Sequence, residues 1–201
     1  MPDCVVTEIL EGIDPSTCAL NKVAGINARI YVGEIKNIDS TTLAFDANGA
    51  VTTFAMDSGT YLWQFISKKY KQAGRDEFVA QDPPVWNHFV DFVHYWFTQE
   101  EIRAIENLAK TEDVFCIIQE NSGNIRVYGI SNDSQLGYLN FGLSAKTGGS
   151  QTGTTGVLLN DDNTDKTTLS GQVPNKPMLY KPTQTLAANI AELDGMSHID
   201  S

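Results

Sequence analysis

Over residues 28–38 apolar and polar side chains alternate, with Ile30, Val32 and Ile35 opposing Arg29, Tyr31 and Glu34. A period of two puts successive side chains on opposite faces of a strand, so this segment is the first predicted strand. Gly33 inside it marks a bulge or a close approach. Residues 42–46 and 51–56 flank Ala47-Asn48-Gly49. An Asn-Gly pair accepts the positive φ of a tight turn, and a hairpin is expected there. Residues 60–67 follow, with Tyr61, Trp63 and Phe65 on one face and Leu62 and Ile66 on the other. Both faces of that strand are apolar and both want cover.

Residues 85–97 are dense in Val, Phe, Tyr and Trp. A helix would also gather Phe89, Val93 and Trp96 on one face, but β-branched and aromatic enrichment behind Pro83-Pro84 favours a long strand. Thr98 then opens a helix, with Glu101 three residues on completing a capping box. Ile102, Ile105, Leu108 and Ala109 form its buried stripe, and it ends near Thr111. A second hairpin joins residues 114–119 to 125–130 through Asn121-Ser122-Gly123-Asn124. Beyond it, residues 137–171 are rich in Gly and Thr and continue the sheet. Residues 1–24 hold no sustained period and form an N-terminal arm. Residues 182–201 form a C-terminal tail with helical character over 185–193. The ordered β domain is expected over residues 25–181.

Composition narrows the function. The 201 residues carry a formal charge of −11, with 41% hydrophobic and 19% charged side chains. Such an acidic chain argues against a groove built to grip nucleic-acid phosphates, whereas a negative wall would let DNA pass without sticking. The three cysteines, Cys4, Cys18 and Cys116, are an odd number in a chain too long to need disulfides, and they favour reduced thiols and folding in the cytoplasm. No apolar run reaches the roughly 20 residues of a membrane helix, and Met1-Pro2-Asp3-Cys4 lacks the basic start of a secretion signal. No membrane partner is expected.

Candidate chemistry is sparse. The histidines are His88, His94 and His198. On one strand His88 and His94 share a face but stand about 20 Å apart, too far to ligate one ion, so they are expected as hydrogen-bonded core or interface residues. Asp161, Asn163 and Asp165 alternate as in a calcium loop, but Lys166 and Gln172 occupy the positions that need Gly and Glu, which leaves a polar turn. No phosphate loop, paired-cysteine or nucleophile-elbow motif is present. No catalytic residue, metal or cofactor is expected. A basic tongue over residues 68–75, with Lys68, Lys69, Lys71 and Arg75, stands out in the acidic chain as either a solvated loop or a docking contact. The aromatic residues of the two apolar strands serve a core alone, or a core together with an interface.

The element order resembles tailed-phage virion proteins of the tail-tube and tail-hub type, found in crAss-like phages and their relatives. The likeness rests on the apolar strand leading to the helix with Ile102, Ile105, Leu108 and Ala109, and on the hairpin of residues 114–129 with Tyr128-Gly129. It rests also on the Gly/Thr-rich close and on the lead-in from Ala24 to Val32, and it covers residues 24–180. The resemblance implies a mainly β fold, a sandwich or small barrel with one flanking helix and extended arms. It further implies a homo-oligomeric ring, six-fold or twelve-fold, around a DNA channel in a virion assembled in the host cytoplasm, with other tail or connector proteins as neighbours. DNA would pass transiently and without specific binding. No catalytic role comes with the family. The expected subunit contacts are Lys68, Lys69, Lys71 and Arg75 on the tongue, and Trp86, Phe89, Phe92 and Trp96 on the long strand. The alternative from the residues themselves is a soluble β-rich carbohydrate-binding or adhesin-type module that stacks a ligand on Trp63, Trp86 or Trp96.

Overall fold

Among the described residues twelve strands, two α-helices and a short 3-10 helix (Ile35–Asn37) make up the regular structure, and the fold is mainly β. A computed structural model describes residues 26–66, 73–81, 84–95, 99–146, 150–154, 164–181 and 185–198. In chain order β1 (Ile26–Glu34), β2 (Ala44–Phe45), β3 (Val51–Thr53), β4 (Leu62–Ile66), β5 (Ala73–Val79) and β6 (Val85–Tyr95) precede helix α1 (Gln99–Lys110). Then come β7 (Val114–Glu120), β8 (Ile125–Tyr128), β9 (Ser150–Thr154), β10 (Thr164–Val173), β11 (Met178–Leu179), helix α2 (Leu186–Gly195) and β12 (Ser197–His198). One sheet runs β11-β8-β7-β1-β4-β12, a second runs β5-β6-β10-β9, and β2 and β3 pair by themselves.

Alternation within the central strands builds two cores. Ile30 and Val32 of β1 and Val114, Cys116 and Ile118 of β7 point into one core; Tyr31, Phe115 and Ile117 point into the other. All eight are at most 3% exposed. A sheet buried on both faces is encoded by a continuous apolar run in place of a hydrophobic-polar alternation, which is why residues 114–118 carry no polar side chain. The first core is closed by Val90 and Phe92 of β6, Leu169 of β10 and Leu108 of α1, so the two sheets form a sandwich. The second is closed by Val51 and Phe54 near the small hairpin, by Ile35 and Ile38, by Tyr180 and by Leu193 of α2. Each such side chain contributes roughly 1.5–3 kcal/mol on burial.

This layering corrects the expected polarity of β1. Tyr31, assigned by period to the polar face, is 1% exposed because α2 and the small hairpin cover that side. Both expected hairpins form: Asp46 Oδ1 accepts from the Asn48 and Ala50 N–H groups, and Gly49 and Gly123 take positive φ. Residues 85–95 are a strand. In α1, Ile105 and Leu108 are buried as expected, while the cap at Thr98 lies outside the described residues. The arm at 1–24 also lies outside them.

Two further segments differ from expectation. Residues 73–79, of which 73–75 were expected in the basic tongue, are an edge strand antiparallel to β6, with Arg75 beside Phe89 and Phe78 beside Trp86. The C-terminal segment contributes to the core over 185–198 instead of hanging free as a tail. The Thr185 side chain accepts from the Ala188 N–H at the start of α2, Leu193 is fully buried, and β12 joins β4 in parallel.

Gly33 is a close approach, and the irregular register in β1 falls between Ile26 and Ile30 instead. A Cβ at Gly33 would stand 2.5 Å from Phe115 Cζ and 2.9 Å from Leu62 Cδ2, both fully buried. Gly33→Ala is therefore expected to destabilise the fold by about 1–3 kcal/mol through overpacking, read as a lower urea midpoint with an unchanged m-value.

Candidate functional site

Interaction residues gather on the four-stranded sheet. On its outer face the Arg75 guanidinium lies 3.7 Å from the Phe89 ring centre and Arg75 Nε stands 3.8 Å from Asp91 Oδ2. Asp91 is only 9% exposed although it is on an outer face. Its carboxylate accepts from Thr168 Oγ1 at 2.6 Å and is 3.5 Å from Lys166 Nζ, so three neighbours offset the cost of removing its charge from water. On the opposite row, Trp86 is half-buried between Phe78, at 5.2 Å between rings, and Lys176, whose Nζ is 4.4 Å from the Trp86 ring. Lys176 also reaches Asp76 at 3.8 Å.

Of the expected contact residues, Arg75 and Phe89 meet on the outer face, while Trp86 lies on the opposite row beside Phe78 and Lys176. Phe92 is not a contact residue. It is fully buried and packs on Phe65, because its row faces the six-stranded sheet. Lys68, Lys69, Lys71 and Trp96 lie outside the described residues. Phe78, Asp76, Asp91, Lys166 and Lys176 were missed. They become neighbours only when β5 and β10 flank β6, and no local period in residues 73–79 announces that pairing.

A second constellation lies at the other end of the six-stranded sheet. Arg29 Nη1 donates to both Asp194 oxygens at 2.8 Å, Tyr31 Oη donates to Asp194 Oδ1 at 2.7 Å, and Gln64 Nε2 approaches the same oxygen at 3.3 Å. Burial lifts the Tyr31 hydroxyl to about 12, which keeps it a donor. Arg29, Gln64 and Asp194, with Ser197 and His198, line an open groove of about 330 Å³. The His198 ring, placed in a tail by the sequence, sits between Tyr61 and Trp63 at 5.9 and 5.8 Å, and those two aromatics are 53% and 44% exposed.

His88 is at neither place. It is fully buried on the inner row of β6. One ring nitrogen, Nδ1, accepts from the Gly129 N–H at 3.2 Å, and Nε2 faces the Asn175 carbonyl at 2.7 Å, so the bonded tautomer is neutral with its proton on Nε2. Desolvation lowers its pKa to about 4. The ring joins β6 to the end of β8 and to the loop before β11. Since β6 is a continuous strand, the separation from His94 argued above applies. Burial also raises the pKa of the Cys116 thiol. Among the described residues no three His, Cys, Asp or Glu side chains are grouped to hold a metal, and no helix is long and apolar enough to cross a membrane. Compared with protein-family models, curated proteins and solved structures, the chain matches none of them.

The His88 geometry has a pH signature. Protonation would turn Nδ1 into a donor facing the Gly129 donor. The ring titrates near 6.5 in an unfolded chain and near 4 in the fold, so its contribution is complete above pH 6.5 and is lost as pH falls toward 4, on the order of 3 kcal/mol. Denaturant titrations across that range are expected to show stability dropping with acid. In His88→Leu this part of the slope should vanish, with the protein less stable at pH 7 because the Gly129 N–H loses its acceptor.

Proposed function

We propose that this chain is a structural subunit of a phage tail, of the tail-tube or tail-hub type, which acts by oligomerising into a ring around a DNA channel. The observation that carries this function is a contrast within one molecule. Both faces of the central sheet are buried in the chain's own cores, while the seven-residue strand β5 leaves nearly every side chain exposed and has no strand on its far side among the described residues. Long open edges invite pairing with another chain, and ring closure satisfies them. The likeness of residues 24–180 to tail-tube proteins adds support. A charge of −11 per copy, multiplied around a lumen, would repel DNA phosphates and ease their passage.

The exposure of Trp63 and Tyr61 favours one other function, a saccharide-binding module with these rings as a platform. Native mass spectrometry over a concentration series separates the two. Species of six or twelve copies, or growth of tubes visible by negative stain, are the expected result. A strict monomer at every concentration that retains glycans on an array would overturn the tail function.

A further inference from the structure

We infer that the groove between β1, β4 and the C-terminal segment is a binding site for a neutral saccharide, with Trp63 and Tyr61 as its stacking surface. The site is additional to the tail function and does not depend on ring closure. Its residues belong to β1, to β4 and the residue before it, and to α2 and β12, whereas the β5 edge belongs to the other sheet. A sugar ring has a rim of hydroxyl groups, each a donor and an acceptor, and a face of C–H groups. Its recognition takes a few well-placed polar groups beside an aromatic surface.

The polar half is held in place yet not used up. The bonds that gather on Asp194 engage Arg29 through Nη1 and Gln64 through Nε2. Arg29 Nε and Nη2 and Gln64 Oε1 have no partner among the described residues and are not buried, and Asp194 Oδ2 accepts from Arg29 alone. The Arg29 and Asp194 side chains are 36% and 41% exposed. Donors and acceptors therefore stand side by side at the groove, on long side chains that the internal bonds have already ordered. Such side chains have little rotamer freedom left to lose when a ligand arrives.

The aromatic half adjoins it through His198, which lines the groove and touches both the Tyr61 and the Trp63 rings. Those rings are among the largest apolar surfaces the chain leaves in water, and a C–H face laid on them would remove both partners from it. Charge sets the ligand class. Arg29 and Asp194 neutralise each other, so a charged ligand meets no net opposite charge in the groove, and an anion also meets the field of a chain at −11. A volume of about 330 Å³ is at the small end of ligand sites, which suits one or two sugar rings. Because the groove is open, a single site should bind weakly, with a Kd on the order of 1 mM.

The test is a glycan array carrying neutral hexose and N-acetylhexosamine oligosaccharides beside sialylated and sulfated ones, probed with the full chain. Dense display on the array compensates for weak single sites, and saturation-transfer NMR then titrates the retained sugar in solution. Retention of neutral oligosaccharides is expected. Trp63→Ala should weaken binding at least about tenfold and Gln64→Ala several-fold, each with a wild-type circular-dichroism melt. Phe78→Ala, at an exposed ring on β5, should leave binding unchanged. If Trp63→Ala does not fold, Tyr61→Ala takes its place with the same expected loss. An array that retains nothing, one that retains only the charged sugars, or aromatic variants that bind like wild type would each overturn the site. Rings that retain no sugar would overturn this site and leave the tail function standing, whereas a strict monomer that retains neutral sugars would do the reverse.

Discussion

The constraint on which the rest depends is that the six-stranded sheet must be dry on both faces. β1 and β7 lie at its centre, and their side chains alternate between two cores with no polar member in the run 114–118. Neither covering layer is optional. Without the four-stranded sheet and α1, Ile30, Val32, Cys116 and Ile118 would face water; without α2 and the β2-β3 hairpin, Tyr31, Phe115 and Ile117 would. Packing at crystal-like density leaves no slack between these layers, and Gly33 records this where the rings of one strand leave no room for a methyl group on the next.

Several polar groups are tied into the framework by more than one partner. His88 spends both ring nitrogens on backbone and so joins the sheets without being free for proton transfer. Asp194 collects Arg29, Tyr31 and Gln64 and fastens the last turn of α2 to β1 and β4. Asp91 collects Thr168, Arg75 and Lys166 on the outside of the second sheet. For the buried His88 and Asp91 this follows from the cost of an unpaired polar group away from water, whereas Asp194 is exposed. Together they account for the most conspicuous titratable groups as parts of the framework.

What the framework leaves unsatisfied is at its margins. β11 and β12 are only two residues long, which is one way a sheet edge is blunted. β5 is longer, is fully paired on one side, and carries opposite charges and an aromatic residue where another strand would meet them. Among the described residues β5 and β9 are the two outer strands of the second sheet.

Strand and helix identity was legible in the sequence wherever it is local. The Asn48-Gly49 and Gly123 turns, the β-branched runs of β7 and β8, the aromatic strand β6 and the stripe of α1 are short-range consequences of backbone sterics and side-chain period. The helical part of residues 185–193 was legible for the same reason. The face each strand turns inward on, and the neighbours it acquires, were not. Tyr31 looked polar-facing because its partner layer is supplied by the β2-β3 hairpin and by α2, the latter more than 150 positions away; Phe92 looked available because nothing nearby in the chain reveals the Phe65 that covers it. The pairing of β5 with β6, and with it the meeting of Arg75, Phe89 and Asp91, has no periodic signature of its own. The sequence by itself determined which segments can be strands, turns and helices, since those depend on φ and ψ preferences of near neighbours. Only the tertiary structure decided which faces are dry and which edge is left open, because burial is a property of surfaces brought together from distant parts of the chain.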